Sequence, residues 1–344
     1  MPSSLKLKIS VIIPVHNGGE EFEKCLSSVS DCNPPAEEVI VVVDGDNDQN
    51  RHMAEEFRFK ALTTSTVGGP GRARNLGARS AKGDILFFVD ADVTLPRDTI
   101  GRVKAAFRND PDMQALFGSY DDEPSEPNFL SQYKNLFHHY VHQTSAVEAS
   151  TFWGACGAIY RDIFFKINGF DEAWVRASGD ARPGVIEDIE LGYRLKRAGY
   201  KIRLLKDLQV KHLKRWGVFS LVKTDFFYRA LPWTELILGG RGFIDELNLK
   251  TSNKISVISI YLLIIMMMGT FFMPILFVPG IFIILLIFGL NWDFYLFYQK
   301  KRGFLFTLKA IPLHWFYFFY CGLGFILGFA SYYWKMLFKL RDRG

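Results

Sequence analysis

Two carboxylates stand one residue apart where an apolar run ends, Asp90 and Asp92 in ILFFVDADV. In an extended chain, residues two apart point the same way, so both would face one site. Carboxylates that close repel, and one would hold a proton unless a cation sits between them. A hard divalent ion such as Mg2+ or Mn2+ suits them, because such ions take one or two carboxylates plus substrate phosphates. On spacing alone, a solvated turn with a helix-capping aspartate fits equally well. Asp44, in VVVDGDND, ends a second valine-rich run in the same way, with Asp46 and Asp48 beyond it. A carboxylate there can accept a hydrogen bond from a base N–H or a ribose hydroxyl; a simple acidic turn is the alternative. The stretch GGPGRARN, 68 to 75, joins a glycine turn, two arginines and a helix start. Backbone N–H groups and guanidinium groups together suit phosphates. The lysine and hydroxyl of a P-loop are absent, and the glycine spacing is not that of a dinucleotide fingerprint.

The elements that must position these residues alternate. KISVIIPVHN, 8 to 17, reads as a buried strand ended by Pro14 and Asn17. GEEFEKCLSSVS, 19 to 30, places Phe22, Cys25, Leu26 and Val29 at helical spacing. A second strand is predicted over 37–46, a short helix over 51–59, a third strand over 60–66, a glycine turn opening a helix over 68–83, and a strand over 85–90. Strand, helix, strand, helix is the pattern of an α/β fold with an open, largely parallel sheet. Ligands bind such sheets outside the carboxyl ends of the strands, where Asp44 and Asp90 fall.

The 344 residues divide by composition. Up to about residue 250 charged and apolar residues mix as in a soluble domain; from Ile255 the chain turns into long apolar runs. Residues 255 to 290 carry no charge, and a bilayer core needs roughly 20 apolar residues per helix. Pro274, Pro279 and Gly280 allow a hairpin of two short spans; one long tilted helix is the alternative. Residues 311 to 334 read as a further span, with Trp315, Tyr332, Tyr333 and Trp334 suited to the interfacial aromatic belt. Lys250 and Lys254 before the first run agree with the positive-inside rule. The loop YQKKRG (298–303) and the tail KMLFKLRDRG (335–344) are both basic, and three spans cannot put both inside, so the count stays open between two and four. The segment 217–249 mixes apolar and basic residues and suits amphipathic helices in the membrane interface. No signal peptide is visible, which predicts a cytosolic amino-terminal domain. A net charge of +5 suits an anionic membrane surface and phosphate ligands, not nucleic acid. The four cysteines show no metal-like spacing and fit a reduced cytosolic setting.

The elements VIIPVHN, VVVDGDND, GGPGRARNLGARSAKGDILFFVDADV, WGACGAIYRDIFFKINGFDE and EDIELGYRLKRAGYKI, in this order, resemble the inverting nucleotide-sugar glycosyltransferases of family 2 with the GT-A fold. The resemblance covers roughly residues 8 to 216. It implies a GT-A domain over 1–216, which the composition follows with interfacial helices over 217–253 and a transmembrane region over 254–344. It implies that Asp44 reads the nucleotide of a UDP- or GDP-sugar, that Pro14, Arg74, Asn75 and Asp90 line the donor pocket, and that Asp90, Asp92 and His212 hold Mn2+ or Mg2+. Asp188 would be the general base with Glu187 beside it. Trp153 and Gly154, in WGACG, would border the acceptor with Arg215 and Trp216. These last two resemble the RW pair of processive synthases, but His212 replaces the glutamine three before the arginine. Thr94 stands where lipid-phosphate mannose and glucose synthases of the family have glutamine, which argues against a plain dolichyl-phosphate-sugar synthase. His138 and His142, one helical turn apart, read as a polar face or acceptor-side surface rather than a metal pair. The segment 176–186 would close over the donor. The expected whole is a multi-pass enzyme of the cell membrane with a lipid-linked acceptor; a processive polysaccharide synthase and a non-catalytic nucleotide-binding scaffold are the alternatives.

Overall fold

The computed structural model describes residues 7–172, 186–241 and 250–341, and the chain divides after Arg215 into two compact units. The first begins with the predicted alternation: β1 (Ile9–Val15), α1 (Glu20–Ser30), β2 (Glu38–Val43), α2 (Asp48–Glu56), β3 (Lys60–Thr63), α3 (Gly69–Ser80) and β4 (Ile85–Val89). It continues with β5 (Val93–Thr94), α4 (Thr99–Asn109), β6 (Met113–Tyr120), α5 (Phe129–Thr144), β7 (Glu148–Ala149), β8 (Cys156–Tyr160), α6 (Arg161–Lys166), α7 (Glu187–Arg197) and β9 (Lys201–His212). The strands form one sheet in the order β3-β2-β1-β4-β8-β6-β9-β5, with β7 beside β9. β1 to β4 pair parallel, but β8 runs antiparallel between β4 and β6. The sheet is therefore mixed, and the start of β8 lies beside the end of β4.

Both faces are covered, which is why β1 is apolar at almost every position rather than alternating. Ile9, Val11, Ile13 and Val15 pack with Phe22, Cys25, Leu26 and Val29 of α1 on one face. Ile12, Ile40, Val42, Leu86 and Phe88 pack with Ala73 and Ala78 of α3 and Leu191 and Leu195 of α7 on the other. Helix α3 lies so close to the sheet that a Cβ on Gly77 would stand 2.5 Å from Ile12 Cγ2.

The second unit opens with a helix broken by two π-turns: α8 (Val218–Asp225), Phe226–Ala230, α9 (Leu231–Leu236) and Ile237–Arg241. Of the segment expected to be interfacial, residues 242–249 lie outside the described residues. Then come α10 (Thr251–Gly269), a 3-10 turn at Pro274–Leu276, α11 (Phe277–Leu290), α12 (Trp292–Arg302) and α13 (Phe304–Arg341). The uncharged 255–290 run is thus two helices that turn back on each other, not one long helix. Asn291 donates to Ser256 Oγ at 3.0 Å, which brings the end of α11 to the start of α10, around a core of Ile260, Leu263, Ile287 and Phe318. α13 meets α10 and α9 through small residues: a Cβ on Gly322 would lie 2.4 Å from Tyr261, and one on Gly328 would lie 2.9 Å from Thr234. Among the described residues, α10 and α13 are long and apolar enough to cross a membrane; the 274–290 and 292–302 pair, bent by 60°, makes a third if it counts as one span.

Candidate active site

β1 separates β2 from β4, so the chain leaves their carboxyl ends in opposite directions and a crevice opens there. Asp44 follows the last residue of β2, and Asp90 that of β4. The acidic pair behaves differently from two residues of an extended strand. Val93 N donates to Asp90 O at 3.3 Å, closing a turn over Asp90–Val93, and the two carboxylates take different side-chain partners. Asp90 Oδ1 meets Arg74 Nη2 at 2.6 Å, whereas Asp92 Oδ2 meets His212 Nε2 at 3.5 Å. The second contact is built by the sheet: β5 pairs with the end of β9, Val93 opposite His212, and Leu213 N donates to Asp92 O at 2.8 Å. Burial pushes both carboxyls up, but His212 and then Lys214 outweigh it at Asp92, which ends below its ordinary range. At Asp90, burial with repulsion from Asp92 and Asp188 outweighs Arg74, and the carboxyl ends above that range.

Arg74 is the centre of the site. It projects from α3 and is 4% exposed; its Nη1 binds Glu187 Oε1 at 2.8 Å while Nη2 holds Asp90. Phe170 lies 5.4 Å from the guanidinium carbon, and Gly154 gives room on another side, since a Cβ there would stand 2.9 Å from Cζ. Burial raises the Glu187 carboxyl above its ordinary value despite Arg74. Asp188, next on α7, is half-buried. Its Oδ2 accepts from Gly154 N at 3.2 Å and its Oδ1 from Ile189 N at 2.8 Å, at a helix N-terminus that favours negative charge. Gly154 reaches it because β8 is antiparallel: Ala155 O accepts from Asp90 N at 3.3 Å, so the residues before β8 line the end of β4.

The structure brings together Arg74, Asp90, Gly154, Glu187 and Asp188, and separately Asp92 with His212. Other expected residues have different surroundings. Asp44 is buried and accepts from Thr64 Oγ1 (2.9 Å), Gly68 N (2.9 Å) and Gly69 N (2.7 Å), so it ties the glycine turn to β2. Asn75, about 100° round α3 from Arg74, holds Phe170 through both its N and its O at 2.8 and 2.9 Å. Pro14 lies within β1 opposite Val42. Arg215 is bound to Glu126 at 3.0 Å, and Trp216 opens the second unit. His138 and His142 take part in ring contacts with Tyr120 and Trp153, and His142 is buried, so the two are packed among rings rather than set on the polar face expected. Of the closing segment, 176–185 lies outside the described residues. The structure adds His16, exposed just past β1, whose Nδ1 donates to Asp44 O at 2.7 Å. Only its place after a strand of this sheet could have marked it.

Among the described residues, no three of His, Cys, Asp and Glu close round one point as metal ligands would. Asp92 and His212 do offer one oxygen and one nitrogen 3.5 Å apart, near the ~3 Å that separates adjacent ligands of an ion held at about 2.1 Å. The pair fits a divalent cation that takes its other ligands from a diphosphate and water. Asp90, also expected as a ligand, binds Arg74 through Oδ1.

Residues 10–167 match the model of glycosyl transferase family 2. The poly(ribitol-phosphate) beta-N-acetylglucosaminyltransferase TarS of Staphylococcus aureus is 33% identical over 101 residues, 27% of this chain and 18% of that protein. The chain thus matches less than a fifth of that relative's length. The O-antigen chain rhamnosyltransferase RfbN of Salmonella typhimurium is 23% identical over 252 residues, 69% of this chain and 77% of its own. In fold, the chain is similar to the mannosyltransferase PcManGT of Pyrobaculum calidifontis, solved in complex with GDP-Man and Mn2+. The TM-score is 0.57 at 15% identity, over 96% of this chain and 88% of that one.

Proposed function

We propose, from the match of residues 10–167 to glycosyl transferase family 2 and from the GT-A-like fold, that the chain moves a sugar from a UDP- or GDP-sugar, with inversion, onto a lipid-linked acceptor in envelope glycan or glycolipid synthesis. The observation that carries this reading is Asp188: a half-buried carboxylate held by the Gly154 amide, beside the Arg74 clamp and at the strand ends where a ligand crevice opens. Each Asp188 oxygen accepts one backbone N–H and keeps a lone pair for an acceptor hydroxyl. Asp188 takes the proton as the hydroxyl oxygen bonds to the anomeric carbon, and the diphosphate leaves from the opposite face with the electron pair of the broken bond. Glu187 does not compete as base, because Arg74 holds it in a buried ion pair. Arg74 and Asp90 together keep α3, the β4 turn and the start of α7 in register. Asp44 shapes the glycine turn, and with His16 above it forms the nucleotide end of the crevice. Asp92 and His212 would hold Mn2+ or Mg2+, which supplies neutralisation of the charge gathering on the diphosphate.

The named relatives act in envelope polymers, and the fold relative binds GDP-Man with Mn2+; these support the donor class and the setting. The two membrane-length helices support an acceptor delivered at a bilayer. Lys250 at the N-cap of α10 and Lys254 in its first turn favour a cytosolic site by the positive-inside rule. Asp188→Asn preserves size and the bond from Gly154 but removes the base. Nucleoside diphosphate release from a panel of nucleotide sugars, with membrane extract as acceptor, should fall about 10²–10⁴-fold while donor affinity holds. Transfer at the unaltered rate would refute the assignment.

A further inference from the structure

Behind the Asp92–His212 pair lies a set of rings that the proposed chemistry does not use. β6 and β9 run parallel with Tyr120 opposite Val210. Residues two apart on a strand share a face, so His212 stands on the same side as Tyr120 and one step along. The two rings stack face to face, 4.3 Å between centroids and 15° from parallel. Tyr120 is held in turn: Trp153 packs T-shaped against it at 4.7 Å and 90°, His138 likewise at 5.9 Å and 84°, and His139 Nδ1 donates to its carbonyl oxygen at 2.8 Å. Both Tyr120 and His212 are buried. A ring held by two perpendicular neighbours and pinned at its backbone presents a fixed face.

We propose that Tyr120 is a positioning residue for metal binding: its ring face fixes the plane of the His212 imidazole, so that Nε2 stays turned toward Asp92. The proposal rests on the reading that Asp92 and His212 hold the ion. An imidazole loosely hinged at two torsions would lose that freedom on binding, and the stack removes the loss beforehand. An imidazole bound to a cation also carries positive charge, which the negative face of a phenol ring attracts. Groups that orient a metal-binding histidine typically change metal affinity 10- to 100-fold, roughly; with Asp92 intact, the lower end applies.

The test is Mn2+ binding to the full chain in detergent, read as loss of the free-ion paramagnetic resonance signal, in one arm with UDP and in another with GDP. Tyr120→Leu and Tyr120→Met should weaken Mn2+ binding about tenfold in whichever arm binds more tightly. Tyr120→Phe, which keeps the ring, should stay within about twofold, since only the hydroxyl is lost. His212→Ala should also weaken binding, and adding Tyr120→Leu to it should cost nothing more. Unchanged affinity in both Tyr120→Leu and Tyr120→Met, with His212→Ala impaired, overturns the inference and leaves the metal reading standing. An equal loss from Tyr120→Leu in the His212→Ala background also overturns it, because the effect would then come through the fold. Unchanged affinity in His212→Ala removes the metal reading and the inference with it.

Discussion

Arg74→Met is the sharpest perturbation of this site. The variant keeps a long apolar stem in α3 but leaves Glu187, 5% exposed, and Asp90 without the cation that faces them at 2.8 and 2.6 Å respectively. Removing one partner of a buried ion pair costs about 3–5 kcal/mol, most of it from the charge left behind. At ~2–4 °C per kcal/mol for a domain of this size, the melting temperature should fall by roughly 10 °C. The loss has a pH signature. Burial already raises Glu187, and without Arg74 only its own backbone N–H opposes burial and the Asp188 charge. A carboxyl whose folded value lies above its unfolded one contributes stability that is complete below the unfolded value and lost as pH rises through the folded one. The gap between variant and parent should therefore narrow as pH falls from 7 toward 4.5. Adding Glu187→Gln to Arg74→Met should recover part of the loss at pH 7, since a neutral amide needs no counter-ion. Differential scanning fluorimetry of the full chain across pH reads all three. A pH-independent drop, or a variant that melts with the parent, would show that Arg74 does not clamp the site.

Two further outcomes follow from the fold. Gly77→Val drives a branched side chain into Ile12 Cγ2 and Val42 Cγ2, 2.5 and 3.1 Å from the added Cβ, and should destabilise by about 1–3 kcal/mol; a melting temperature equal to or above the parent's would contradict the close approach of α3. Glu37 is buried enough to be pushed up, but the Ile9 amide and Lys104, both at 2.8 Å, outweigh that and hold it low. Its stabilising contribution is complete above the unfolded value of about 4.3 and is lost as pH falls through the folded one. Glu37→Gln should therefore be less stable than the parent at pH 7 and draw level with it near pH 3 in thermal melts; a constant gap would refute the linkage.

Local pattern carried the first half of the domain. The valine and isoleucine runs and the helical spacing of Phe22, Cys25, Leu26 and Val29 gave β1 to β4 and the helices between them to within a few residues, because strand and helix periods are local properties. Strand direction and neighbour order are not local. Nothing in WGACGAIY says that β8 enters antiparallel beside β4, yet that insertion puts Gly154 against both Arg74 and Asp188. Tyr120 shows the same limit: FGSYDD has no period that marks it, and its role depends on β9, some ninety residues on, pairing alongside.

The acidic pair shows where spacing misleads. Two carboxylates separated by one residue share a face only while the chain stays extended, and here it turns after Val89. Asp92 still repels Asp90 across that turn, but each carboxylate has a side-chain partner of its own. The partner is a buried guanidinium for Asp90 and an imidazole edge for Asp92. The consequence reaches both neighbours. Because Arg74 is shared with Glu187, the turn that carries Asp92 is tied through Asp90 to the helix that carries Asp188. A displacement of α7 would move Arg74, and with it the carboxylate beside the proposed metal ligand. The proposed base and the proposed metal-holding pair are thus coupled through one side chain of α3, which is why Arg74→Met should disturb donor binding as well as stability, although Arg74 need touch no substrate.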